Sequence, residues 1–308
     1  MNYQKSHVII NPRAAGGSAT ERWKTIEPEV KQTIGDFSWQ FTDKSGAAIQ
    51  MTSDALEKGV KSIIVIGGDG TVSEAVNGFL TSQAGKKATL SILNLGTGGD
   101  FCRTLGVPSD YHIALDSYKK GRTIQVDAGK IEFVDFNGKP GTRFFVNVAG
   151  CGMAGEVVQA VNQSSKRFGG FSYYLGALGK LFSYKNKHVS YSVDGGPFEE
   201  KNIVTLAVCN GQFFGGGMQI SPAAEINDGF FHITVLDNWS IGQKVMNSRN
   251  MYNGTVYGLT GVLSMKAKTI TVNPVEKGEQ ILIDSDGDCP GMLPFKATVL
   301  PKAVSFRI

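Results

Sequence analysis

Over roughly the first 120 residues, short runs of β-branched and aliphatic residues alternate with longer helical patterns. The runs His7–Ile10, Ser62–Ile66 and Leu90–Leu93, with a weaker one at Phe37–Phe41, place apolar side chains at consecutive positions. That is the pattern of strands covered on both faces. Ala19–Thr33, Ala47–Lys58, Val72–Leu80 and Tyr111–Lys120 instead show apolar positions at helical spacing. Strand and helix in alternation, with short joints, predict a parallel, Rossmann-like sheet covered by helices. From about Gln125 the pattern changes. Val126–Phe133, Arg143–Val148, His188–Val193, Ile203–Cys209, Phe230–Leu236, Lys268–Val272, Glu279–Ile283 and Lys296–Leu300 read as strands separated by Gly, Pro, Asn and Asp. Helical stretches are few there, chiefly Gly170–Phe182 and Ile241–Asn250. Many regularly spaced strands predict an antiparallel β-sandwich or barrel, with the boundary near residues 122–128.

In a parallel α/β sheet, ligands bind beyond the carboxyl ends of the strands. The glycines cluster there: Ala15-Gly16-Gly17, Gly67-Gly68-Asp69-Gly70-Thr71 and Gly96-Thr97-Gly98-Gly99-Asp100 each follow a strand. Glycine accounts for 39 of the 308 residues, well above the usual share of about 7%. Other bulk properties mainly exclude. A balance of 31 basic against 27 acidic residues is too mild for a nucleic-acid binder. The four cysteines are widely spaced and lack ligand partners, which argues against zinc and against a disulfide framework. No run of 18 uncharged apolar residues and no signal-peptide pattern occurs, so the expectation is a cytoplasmic protein.

The second of these loops is the most informative. Glycines at a strand end expose backbone N–H groups, and with a helix start behind them those donors suit a phosphate chain. Asp69 would repel phosphate unless a cation lies between them, which points to Mg²⁺ or to a catalytic role. The spacing matches neither G-x-x-x-x-G-K-[ST] nor G-x-G-x-x-G. Asp100 also reads as a helix N-cap, and Asp286-Gly287-Asp288 as a hairpin turn.

Taken together, Asn11-Pro12 with Gly16-Gly17, Gly67–Thr71 followed by Glu74, and Leu95-Gly96-Thr97-Gly98 with Asp100 resemble the diacylglycerol kinase catalytic-domain family. That family includes bacterial lipid kinases and the sphingosine and ceramide kinases. Phe213–Met218, Ser221-Pro222-Ala223, Asn227-Asp228-Gly229 and Asp286-Gly287-Asp288 before Leu293-Pro294 extend the likeness over nearly the whole chain. The resemblance implies an α/β nucleotide-binding domain (1–125, with about 303–308) and a β-rich lipid domain (126–302), with ATP and lipid meeting in a cleft. It implies ATP contacts at Asn11, Thr42, Gly67, Gly68, Asp69, Gly70, Thr71 and Thr97, and a metal-binding turn at Glu225, Asp228 and Phe230, partly through backbone carbonyls. It places the general base at Asp286, with Asp288 as second choice. The expected reaction is Mg²⁺-dependent transfer from ATP to a lipid hydroxyl, most plainly that of diacylglycerol. Alternatives are a sphingoid, ceramide or phosphatidylglycerol kinase, an NAD kinase-like enzyme, or an inactive nucleotide binder. The chain departs from the family pattern at Gly99, where Asn is usual, and at Asp288, where Glu is usual. The expected partner is lipid at a membrane surface, not nucleic acid, with a homodimer left open. The basic and aromatic stretch from Lys166 to Phe182 suits peripheral contact with the inner face of a membrane. The four histidines show no pairing and read as structural.

Overall fold

The computed structural model describes residues 6–95, 99–164 and 184–308. The chain forms two compact units, residues 1–128 with 301–308, and residues 129–300. Thr97 and the Lys166–Phe182 stretch lie outside the described residues, as does the helix expected over Gly170–Phe182.

In the first unit, strands β1 (Ser6–Ile10), β2 (Phe37–Phe41), β3 (Ser62–Ile66) and β4 (Thr89–Ile92) form a parallel sheet in the order β4-β3-β1-β2. Every residue of β3 is buried, as a strand covered on both faces requires. Helices α1 (Ala19–Ile34), α2 (Ala47–Glu57), α3 (Asp69–Thr81), α4 (Asp100–Leu105) and α5 (Tyr111–Lys120) connect the strands or follow the last of them. One core gathers Val8, Ile10, Ile64 and Ile66 from the sheet with Trp23, Ile26 and Val30 of α1. The end of the chain completes this unit. Phe306 pairs in parallel with Leu90, and the Arg307 guanidinium donates to the Tyr118 carbonyl oxygen at 2.8 and 3.0 Å.

The second unit is antiparallel. Its strands are β5 (Thr123–Val134, continuing from the first unit), β6 (Pro140–Phe145), β7 (Val148–Gly152), β8 (Lys187–Val193), β9 (Glu199–Cys209), the short pair β10 (Phe213–Phe214) and β11 (Met218–Gln219), β12 (Phe231–Asp237), β13 (Val262–Ala267), β14 (Thr269–Pro274), β15 (Ile283–Ser285) and β16 (Met292–Arg307). Strand β9 is central. It pairs with β12 on one side, and on the other first with β8 and then with β7. Phe145, Phe231, Ile233, Leu206, Val272 and Phe295 meet in its main core. Helices α6 (Met153–Ser164) and α7 (Ile241–Tyr252) follow β7 and β12.

One strand read from the sequence is two. Arg143–Val148 breaks at Val146–Asn147, between β6 and β7. The reason is the Asp286 carboxylate, which accepts the N–H of Val146 at 2.9 Å through Oδ2 and those of Asn147 and Val148 at 3.0 Å through Oδ1. The Asp286 N–H in turn donates to the Val148 carbonyl oxygen at 2.9 Å. A buried carboxylate thus takes over donors that would otherwise need a neighbouring strand. Asp286→Asn would put an NH₂ group against the Val146 N–H or its neighbours. A buried donor without an acceptor costs about 1–3 kcal/mol, so the melting temperature should fall by roughly 3–10 °C. Thermal denaturation of the purified variant checks this, and an unchanged melting temperature contradicts the role.

Candidate active site

The first unit carries a groove of about 710 Å³, counting the part open to solvent, at the carboxyl ends of β1 and β3. Asn11, Pro12 and Arg13 line it after β1, Thr42–Ser45 after β2, and Gly68, Gly70, Thr71 and Glu74 after β3. The structure therefore brings together Asn11, Thr42 and the Gly67–Thr71 loop, which lie far apart in sequence.

Each side chain there is positioned by an identifiable bond. The Asn11 N–H donates to the Ile66 carbonyl oxygen at 2.8 Å, extending the β1–β3 ladder by one residue. Its amide Nδ2 donates to Thr71 Oγ1 at 3.0 Å, which leaves the threonine hydroxyl proton to donate elsewhere. Glu74, three residues further on, turns toward α2. It accepts the N–H of Gly46 at 2.7 Å and of Ala48 at 3.1 Å, so it caps that helix.

Asp69 plays the same part for α4. Its Oδ2 accepts the Asp100 N–H at 2.7 Å and its Oδ1 the Phe101 N–H at 3.3 Å. Burial pushes its carboxyl above the ordinary value, against those two N–H groups, which favour the ionised form. Gly99 follows from this arrangement, because a Cβ there would lie 2.0 Å from Asp69 Oδ1. The glycine that departs from the family pattern makes room for the carboxylate. Asp100 itself pairs with Arg103 at 2.6 Å.

Helix α3 is treated differently. Its N-cap is Gly68, with no side-chain cap, and the N–H groups of Asp69 and Gly70 have no partner among the described residues. Gly68 and Gly70 meet no side-chain or backbone atom within 4 Å of where a Cβ would stand. Packing does not require glycine at either position, whereas at Gly67 a Cβ would collide with Thr71 at 2.6 Å. An uncapped helix start with open space above it is an anion-binding arrangement. Arg13 and Lys44, both exposed and both lining the groove, add positive charge. Sequence reasoning gave neither a role. A basic residue directly after a strand end in such a sheet was the available signal.

The expected residues of the second unit are arranged otherwise. Asp286 is the buried buckle described above. Asp288 pairs with the Arg143 guanidinium at 2.8 Å and accepts the Cys289 N–H at 2.9 Å. Two residues before Asp286, in β15, lies Asp284, which sequence reasoning missed. It is 5% exposed, accepts the Gly287 N–H at 2.9 Å, and burial raises its carboxyl from 3.8 to about 7. The turn expected to hold a metal contains an internal cation instead. Asp228 accepts from Lys266 Nζ at 2.9 Å, from His232 Nε2 at 3.1 Å and from the Phe230 N–H at 3.0 Å. Although burial works against its charge, the bonds from Lys266 and His232 hold this carboxyl below its ordinary value. As arranged, the Asp228 carboxylate would have to give up Lys266 to take a divalent ion. Glu225 is exposed, and among the described residues no three His, Cys, Asp or Glu side chains converge on a metal position.

The family comparisons divide the chain in the same order. Residues 5–131 match the diacylglycerol kinase catalytic domain, and residues 147–307 match the YegS C-terminal NAD kinase beta sandwich-like domain. The diacylglycerol kinase of Bacillus subtilis (strain 168) is 27% identical over 94% of this chain and 92% of its own. That of Staphylococcus carnosus (strain TM300) is 28% identical over 94% and 90%. A "Probable lipid kinase YegS-like" protein of Klebsiella pneumoniae (strain 342) is 29% identical over 68% and 69%. A solved structure from Bacillus anthracis str. Sterne aligns with a TM-score of 0.77 at 26% identity, covering 100% of this chain and 96% of its own.

Two outcomes are expected. Gly68→Val places its side chain in open space, so the fold should survive, with up to about 1 kcal/mol lost from the poorer N-cap. Nucleotide affinity should fall at least about ten-fold, because the side chain fills the approach to the α3 start. Calorimetric titration with ATP measures this, and wild-type affinity in the folded variant would remove the loop from the site. The second outcome concerns Asp284. A carboxyl raised on folding contributes stability that is complete below about pH 3.8 and is lost as pH climbs toward about 7. Asp284→Asn keeps an acceptor for Gly287 without the charge. Melting temperatures at pH 5 and pH 8 should therefore differ less in the variant than in the unaltered chain.

Proposed function

Because this chain belongs to the diacylglycerol kinase catalytic-domain family, and so to the lipid kinases, we propose that it transfers the γ-phosphoryl group of ATP to the free hydroxyl of diacylglycerol. The observation that carries the reading is the contrast between helix starts. Carboxylates close the starts of α2 and α4, while α3 keeps its N–H groups open beneath two glycines that packing does not require.

In this reading the phosphates lie over the α3 start. The Asp69 and Gly70 N–H groups and the Thr71 hydroxyl donate to them, and Arg13 and Lys44 offset their charge. Mg²⁺ enters with the nucleotide and supplies charge neutralisation on the phosphate oxygens. The lipid oxygen forms its bond to the γ-phosphorus as the bond to the ADP oxygen breaks, and the hydroxyl proton passes to a carboxylate. Asp69 is the best-suited acceptor. Burial raises its proton affinity, each of its oxygens accepts only one N–H, and it stands at the phosphate loop. The two oxygens of Asp286 are taken by three backbone donors, and Asp288 is held by Arg143.

The deciding experiment offers radiolabelled ATP with diacylglycerol, monoacylglycerol, sphingosine, ceramide and phosphatidylglycerol. Diacylglycerol should be the preferred acceptor, yielding phosphatidate. Preference for another lipid would reassign the substrate within the family. In Asp69→Asn, kcat should fall by roughly 10²–10⁴-fold while ATP still binds. Full turnover in that variant would exclude Asp69 as the acceptor.

A further inference from the structure

Helix α7 is poorly covered by its own unit. Of its residues Ile241–Tyr252, only Met251 is buried. Ile241 is 51% exposed, Val245 52%, Met246 78% and Tyr252 48%. At about 100° per residue, Ile241, Val245 and Tyr252 fall within roughly 40° of one another around the axis. They form an outward stripe, with Arg249 about 40° and Met246 about 100° further round from Val245. Short helices in water ordinarily owe their stability to packing of an apolar face. Here the apolar support is Met251, buried with Trp239 and Val256, and the other described supports are polar. Ser240 and Gln243 form a capping box at the start, and Lys244 Nζ donates to the Tyr184 carbonyl oxygen at 3.2 Å.

The charge on the helix itself is one-sided. The helix contains Lys244 and Arg249 and no acidic residue. Arg249 is exposed, and so is Lys185. The residue after Lys185, Asn186, donates to Asn238 Oδ1 at 2.6 Å and to the Trp239 carbonyl oxygen at 3.0 Å, just ahead of the helix. The adjacent acid, Asp237, faces Lys201 at 3.8 Å. Apolar residues standing out of a basic surface match an anionic bilayer, where the side chains enter the acyl boundary and the cations meet headgroups.

No described helix is long and apolar enough to cross a membrane, yet the substrate class of this family resides in one. We propose that the outer face of α7, through Ile241, Val245, Met246 and Arg249, is the surface on which this chain docks to an anionic phospholipid bilayer. The inference rests on the lipid kinase reading for its occupant and on the exposed stripe for its location.

Flotation of the full chain, without nucleotide, on vesicles of phosphatidylcholine alone or mixed with phosphatidylglycerol tests it. The unaltered chain should favour the mixed vesicles, less so at high salt. Val245→Ser combined with Met246→Ser alters exposed positions and should keep the melting temperature. It should lower partitioning to mixed vesicles at least about ten-fold, and turnover of a dispersed short-chain diacylglycerol should stay unchanged. Arg249→Gln should weaken binding to the mixed vesicles and leave that to phosphatidylcholine as it was. Unchanged flotation of the double variant overturns the proposal even if the kinase reaction is found. A dimer that the double variant dissociates also overturns it, since a second copy would then cover the stripe. Vesicle binding that depends on the stripe supports it, even if the assay finds another preferred lipid.

Discussion

Backbone N–H groups left without a strand or helix partner are the constraint around which the described chain is arranged. They must find acceptors, and here carboxylates supply them. Glu74 closes α2, Asp69 closes α4, Asp110 caps α5, and Asp286 gathers the donors between β6 and β7. The start of α3, like that of α1, has no side-chain cap, but it alone of the two opens beneath glycines that packing does not require, which suits an anion. The same constraint explains Gly99, whose missing side chain lets Asp69 reach α4.

This use of carboxylates changes how acidic residues near glycine should be read. An acid in an Asp-Gly turn has the composition of a catalytic group and also that of a structural acceptor, and the donors aimed at it show how far it already serves the backbone. Asp286 receives three. Asp69 receives two, one of them long, and keeps lone pairs for chemistry. Asp228 belongs to a further kind. Lys266 and His232 give its turn a cation from within the chain, where the family pattern suggested a metal.

Much of the fold was legible. Consecutive apolar positions in Ser62–Ile66 can only be a strand buried on both faces, and its alternation with helical patterns implied the parallel sheet. The antiparallel character of the second half followed from its many short strands. The details that were misread have a common cause. Val262–Ala267 was not recognised as a strand, though it pairs with β12 along its whole length. Met153–Ser164 was not recognised as a helix. Arg143–Val148 was read as one strand because nothing within it marks the break, which is imposed by a carboxylate about 140 positions away.

By itself, then, the sequence determined the order of the main elements of the first unit, the fold class and the family, because these depend on local periodicity and on glycine loops at strand ends. It also pointed to Asn11, Thr42 and Gly67–Thr71 as neighbours. Only the tertiary structure decided which acids are committed to backbone donors, that Gly99 serves Asp69, that Lys266 sits on Asp228, and that Arg13 and Lys44 line the groove. The physical reason is range. Periodicity acts over a few residues, whereas the state of a carboxylate depends on which donors and charges the fold carries to it from distant parts of the chain.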